Sequence, residues 1–116
     1  MTRILVSGLI NIETALRVDS FPIAYTPVEY RFSGVNSSVS GVGFNVAKAL
    51  TALGNEVVLL SIIGHDLAGK HIRSALAKEN ISDEFVCEKD TDTAQSVILF
   101  DAQGKRQINV DLKDIQ

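Results

Sequence analysis

The residues of this chain best suited to chemistry gather in one short turn, Gly41-Val42-Gly43-Phe44-Asn45. Val46, Ala49, Leu50 and Leu53 follow it at helical spacing. The turn therefore sits where a helix begins, and the first N–H groups of a helix have no partner within it. Glycines there let a ligand approach the backbone closely. Asn45 adds a donor and an acceptor on one side chain, which is what a sugar hydroxyl can use. The same residues also read as a loop that simply leads into a helix, and by themselves they leave both readings open. Gly-x-Gly at a helix start is also the first half of a dinucleotide-binding fingerprint. That reading lacks its context, because Val46 stands where the third glycine belongs and Asn36-Ser37-Ser38-Val39-Ser40 does not resemble a buried strand.

Other reactive side chains are few. His65 and Asp66 are adjacent and could pass for an acid–base pair, but Asp66 is placed to cap a helix and His65 to be exposed. His65 and His71 are six apart, which fits neither one helical face nor a zinc pattern, so no metal site is expected. Cys87 is the single cysteine, so it can form no intrachain disulfide or cysteine-based zinc cluster, and it reads as a small core residue.

Several elements must position these residues. Ile4-Leu5-Val6 before Ser7-Gly8 reads as a buried strand opening into a loop, and Thr14–Val18 as a second strand. Val28-Glu29-Tyr30-Arg31-Phe32 alternates apolar and charged residues, predicting a strand with one wet face. The helix after Gly43 uses Val46, Ala49, Leu50 and Leu53 as its inner face and ends at Gly54. Val57–Ile63 is nearly continuous in β-branched and aliphatic residues, which fits a parallel strand covered on both faces by helices. Asp66 then caps a second helix reaching about Asn80, with Ala68, Ile72, Ala75 and Leu76 inward. A short strand is expected near Glu84–Cys87. Gln95–Phe100 and Gln107–Leu112 form a hairpin about Asp101-Ala102-Gln103-Gly104, the second arm carrying Ile108, Val110 and Leu112 on one apolar face. Alternating strands and helices argue for an α/β layer, with the alternating strands as a separate sheet.

The whole is 116 residues, 46% hydrophobic and 22% charged, so it has the size and composition of one folded domain. Its formal charge is −3 and its basic residues are scattered, which argues against nucleic acid or an anionic membrane as a partner. No stretch has the apolar length of a membrane span and the first residues are too short for a signal sequence. A cytoplasmic location is expected.

Ser40-Gly41-Val42-Gly43-Phe44-Asn45-Val46-Ala47, then Gly54, then Gly64, resembles the N-terminal signature of the ribokinase-like (PfkB) carbohydrate kinases. Three further segments fall in the order of that family: Gly8-Leu9-Ile10-Asn11-Ile12-Glu13, Gly64-His65-Asp66-Leu67-Ala68-Gly69, and Thr93-Ala94-Gln95-Ser96 before the hairpin. The resemblance implies an α/β fold: part of a doubly wound parallel sheet with helices on its faces, plus a small β-sheet lid whose strands come from about 13–33 and 95–112. It implies an ATP-dependent sugar or nucleoside kinase that transfers the γ-phosphate to a hydroxyl, with ATP and Mg2+ as cofactors. Asn11 and Glu13 would bind substrate hydroxyls. Gly41, Gly43 and Asn45 would form the floor, Val42 would also border the substrate, and Ser96 and Ile98 would pack over the sugar from the lid.

Three positions depart from the family's wording. Glu13 stands where an aspartate is usual, Ser40 replaces the first glycine of the pair, and Val42 replaces the lysine of ribokinases proper. A modified sugar or a nucleoside is therefore expected rather than ribose, the wording being closest to members of pseudouridine-kinase type. The resemblance also implies that the catalytic base, the aspartate of a Gly-x-Gly-Asp segment, belongs to a C-terminal nucleotide-binding half that this chain lacks. No catalytic residue is therefore expected here, and the chain alone should be inactive. An open sheet edge and the lid strands would favour pairing, with a homodimer through the lid. The alternatives are a non-catalytic sugar-binding or assembly module on the same fold and, further off, a dinucleotide-binding domain.

Overall fold

The computed structural model describes residues 2–115. Its elements in chain order are β1 (Arg3–Ser7), β2 (Asn11–Arg17), β3 (Val35–Ser40), α1 (Val42–Ala52), β4 (Glu56–Gly64), α2 (Leu67–Lys78), β5 (Val86–Lys89), β6 (Gln95–Phe100) and β7 (Arg106–Asp111). Two sheets result. β1, β4 and β5 form a parallel sheet in the order β1-β4-β5, and the other four form a second sheet in the order β3-β2-β6-β7. In the second sheet β2 and β6 run parallel while β3 and β7 pair antiparallel at its edges. The α/β class expected from the sequence, with a parallel sheet and a separate small β-sheet, is what the chain adopts.

One apolar cluster holds the parallel sheet to its helices. Val6, Val57, Leu59, Ile63 and Val86 from the strands meet Phe44 and Ala47 of α1 and Ile72 and Leu76 of α2. Leu59, Ile63, Ile72 and Leu76 are fully or almost fully buried. Burying such a side chain stabilises the fold by about 1.5–3 kcal/mol. Both helices join this single cluster, so both lie on one face of the sheet. The opposite face keeps Leu5, Leu60 and Ile62 exposed, and β4 is covered on one face by this chain, not on both. Its continuous apolar run supplies residues to each face, but the run does not say which face is covered.

Cys87 follows the same logic. It lies exposed on β5, bordering an apolar hollow with Leu60, Ile62, Phe85 and Ile115, and is not a core residue. Its neighbour Val86 takes the covered side.

α1 is turned from its expected orientation. Gly43, Phe44 and Ala47 are buried and Leu50 is partly so, while Val46 and Leu53 face outward. Gly43 sets this rotation. A Cβ there would overlap the carbonyl of Gly8, so the helix meets the loop after β1 backbone to backbone. Gly54 does take a left-handed conformation (φ 89°) just after the helix, and Asn55 donates to the Leu50 carbonyl at 3.0 Å.

The second strand partner of β2 also differs from the sequence expectation. Val28–Phe32 is not a strand; it lies in the segment joining β2 to β3, with Val28, Tyr30 and Phe32 exposed. The strand is Val35–Ser40, in register from Leu16↔Val35 to Asn11↔Ser40. Alternation in Val28–Phe32 provides two faces but no neighbour to pair with. The hydroxyl-rich Val35–Ser40 suits an edge whose side chains stay wet, and Thr14 and Ser37 hydroxyls meet across it at 2.9 Å. The four-stranded sheet thus draws on 11–17 and 35–40 where 13–33 was expected, and on 95–100 and 106–111.

At the far hairpin, Asp101 accepts from the N–H groups of Gln103 and Lys105, each at 3.0 Å, and Gly104 turns the chain at φ 87°. Among the described residues no helix is long and apolar enough to cross a membrane.

Candidate functional site

The chain crosses between its two sheets at three places: Gly8–Ile10, Gly41, and the segment before β6. A cleft opens along this line. Asn11, Glu13, Gly41, Val42, Asn45, Ser96 and Ile98 all border it, together with Leu9, Ser40, Arg106, Ile108 and Val110. Its volume is about 570 Å³, within the range of small-molecule sites. It lies beyond the C-terminal end of β1 and beside the start of α1, where α/β sheets hold their ligands.

The sheet register explains why these side chains share a face. Asn11 and Glu13 are two apart on β2, and Ser96 and Ile98 two apart on β6, so each pair points the same way. Glu13 is level with Ser96, and Ser96 with Val110; Ile98 is level with Ile108. The apolar face of β7 therefore looks onto the cleft, which is why Ile108 and Val110 remain exposed. Arg106, Ile108 and Val110 were absent from the sequence-based set. Their signal was present in the alternation of β7, once the hairpin register sets that strand beside Ser96 and Ile98.

Asn11 is only 5% exposed. Its Nδ2 donates to the Ser96 hydroxyl at 3.2 Å, while its Oδ1 has no partner although it is buried. Buried acceptors are seldom left unpaired, and each unmet one is costly. Exchanging the two ends of the amide would leave the nitrogen unmet instead. Across the cleft, Asn45 is exposed in the first turn of α1, its Nδ2 3.4 Å from the Ser40 hydroxyl.

The glycines of the turn have a different task. Gly41 has φ 100°, and a Cβ on it would overlap the Leu9 carbonyl. Gly43 does not border the cleft. It is buried against Gly8, and its N–H donates to the Leu9 carbonyl at 2.9 Å. One of the free amides at the helix start is thus satisfied by the loop after β1. The strand before the turn is an exposed, antiparallel edge of the four-stranded sheet and does not belong to the parallel sheet. A dinucleotide fingerprint needs the reverse arrangement.

His65 and Asp66 stand outside the cleft. Asp66 caps α2 by accepting from the Gly69 N–H at 2.8 Å, and also accepts from the N–H (2.8 Å) and hydroxyl (2.7 Å) of Thr93. Burial pushes the Asp66 carboxyl up, but the Thr93 and Gly69 donors outweigh it and hold the group below the ordinary carboxylate range. His65 is exposed and meets Glu88 at 2.8 Å. That hydrogen bond, followed by the one from Arg73, lowers the Glu88 carboxyl. Among the described residues no three His, Cys, Asp or Glu side chains are grouped to hold a metal ion.

The profile of the pfkB family carbohydrate kinases matches residues 1–116. The chain belongs to that family. Solved structures agree on the fold. A ribokinase of Giardia lamblia superposes with a TM-score of 0.83 at 20% identity, over 97% of this chain and 34% of that one. A nucleoside kinase of Burkholderia thailandensis, solved with inosine, gives 0.77 at 20% identity over 94% of this chain and 36% of that one. A ribokinase of Cryptococcus neoformans, solved with ADP, gives 0.71 at 26% identity over 97% and 35%. No curated protein matches the chain in sequence. This pfkB-family chain spans a little over a third of the length of these structures.

Proposed function

We propose that the chain forms the substrate-binding part of an ATP-dependent sugar or nucleoside kinase, which transfers a γ-phosphate to a substrate hydroxyl. The observation that carries this reading is the buried, unpartnered Oδ1 of Asn11 at the cleft. A substrate hydroxyl donating to it would remove the penalty of an unmet acceptor. The Glu13 carboxylate, on the same face of β2, can accept from a neighbouring hydroxyl, and Asn45 can both donate and accept from the other wall. Leu9, Val42, Ile98, Ile108 and Val110 offer apolar surface to the C–H faces of a sugar ring.

Phosphoryl transfer depends mainly on positioning and on charges around the transferred group. In this reading the chain's residues supply the positioning. ATP with Mg2+ is the phosphoryl donor, and no described residue is assigned to it or to the catalytic base. The setting is the cytoplasm, which suits a lone thiol. Two copies would meet through the lid, whose edge strands β3 and β7 each leave one side without a neighbouring strand, with Val35 exposed on β3.

The test is ADP release by the full-length protein over a panel of sugars and nucleosides, followed by Asn11→Ala on whichever substrate is turned over. The variant should raise the substrate KM about tenfold while leaving the KM for ATP within about twofold. Equal losses for both, or no turnover of any alcohol in the panel, would refute the assignment.

A further inference from the structure

The cleft is lined by two charged side chains, and they stand far apart. Glu13 belongs to the rank Glu13, Ser96, Val110 across the lid, and Arg106 to the rank Arg17, Phe100, Arg106, four residues further along the strands. At the rise of a strand that is about 13 Å. The gap exceeds a Debye length of about 8 Å in physiological salt, so the two charges do not cancel one another. Between them lie Ile98 and Ile108, side by side on β6 and β7.

Arg106 also differs from the other arginines. Arg3 meets Glu56, Arg31 meets Asp19 and Glu29, and Arg73 meets Asp83 and Glu88, while Arg17 donates to the Phe32 carbonyl. Among the described residues Arg106 has no such partner. Its stem can lie along Ile108 with the guanidinium directed into the cleft. A guanidinium is a planar fork of donors that fits the paired oxygens of a phosphate or carboxylate.

Building on the sugar-binding reading above, we infer that Arg106 is a specificity residue that holds an oxyanion substituent of the substrate. The cleft would then take a sugar bearing a phosphate or carboxylate on the carbon remote from the hydroxyls held at Asn11 and Glu13. The isoleucines cover the ring between the two ends. Glu13 does not repel the anion, because the anion lies at the far end of the lid.

The test is calorimetric titration of the full-length protein with matched sets: a neutral sugar, its terminal phosphate and its terminal acid. Wild type, Arg106→Ala, Arg106→Lys and Asn11→Ala are compared at low and high salt. In wild type one anionic form should bind about tenfold tighter than its neutral parent, the value of one charged hydrogen-bonded contact. In Arg106→Ala that ratio should fall to about one, with Arg106→Lys between, and added salt should shrink it wherever residue 106 keeps its positive charge and not in Arg106→Ala. Whether the phosphate or the acid shows the ratio identifies the anion. If neutral sugars or nucleosides bind and depend on Asn11 but the anion brings no Arg106-dependent gain, this inference is overturned and the sugar-binding reading stands. If nothing in the sets binds, both fall.

Discussion

Replacing Asp66 by alanine should destabilise the protein by about 3 kcal/mol, because one carboxylate serves two structural elements. Oδ1 accepts from the Gly69 N–H and the Thr93 hydroxyl, and Oδ2 from the Thr93 N–H. Losing a side-chain cap costs about 1 kcal/mol. Thr93 is fully buried, and leaving its N–H without an acceptor costs about 1–3 kcal/mol more. The Thr93 hydroxyl, which also accepts from the Gly64 N–H at 2.9 Å, would lose its orientation as well. The measurement is urea unfolding, in which the midpoint should fall with the slope unchanged. Asp66→Asn gives a second arm, since its Nδ2 would confront donors. The carboxyl is held below its ordinary range in the folded state. Its contribution is therefore complete above the unfolded carboxylate pKa and is lost as pH falls through the folded value. The stability gap between wild type and Asp66→Asn should accordingly narrow in acid. A loss in Asp66→Ala below about 1 kcal/mol at neutral pH, or a gap that acid does not narrow, would refute the argument.

Two glycines near the site and the hairpin should behave differently when given a methyl group. Gly43→Ala forces the Gly8 backbone aside and should cost about 1–3 kcal/mol in the same unfolding assay. Gly104→Ala meets nothing within 4 Å, and its cost should be limited to the strain of a positive φ, about 1 kcal/mol. In the segment between β2 and β3, Tyr30 and Phe32 are 78% and 83% exposed. Tyr30→Ser and Phe32→Ser should each change stability by less than about 0.5 kcal/mol. A larger loss would show that these rings pack on the fold.

Much of the architecture was legible because the relevant signals are local. Apolar spacing from Val46 onward and the glycine at position 54 bounded α1, Asp66 announced α2, and Gly104 announced the β6–β7 hairpin. The misreadings each concern a neighbour that lies far away in the chain. Val28–Phe32 alternates as well as any strand, but β2 is paired by Val35–Ser40. Val46 and Leu53 have the spacing of an inner face, but the contact of Gly43 with Gly8 rotates them outward. Cys87 and Ile62 have the composition of core residues, but the two helices cover the other side of their sheet.

For the candidate site the division is similar. The sequence alone determined that a glycine turn precedes a helix and that Asn45 follows it, and the resemblance it carries pointed to Asn11, Glu13, Ser96 and Ile98. Only the tertiary structure decided that these meet along one cleft, that Gly43 serves the Gly8 loop instead, and that Arg106, Ile108 and Val110 complete the cleft wall on the four-stranded sheet. The physical reason is that capping, periodicity and turn chemistry act within a few residues. Register and face are set by pairs such as Glu13 with Ser96, 83 positions apart by their numbers in the chain.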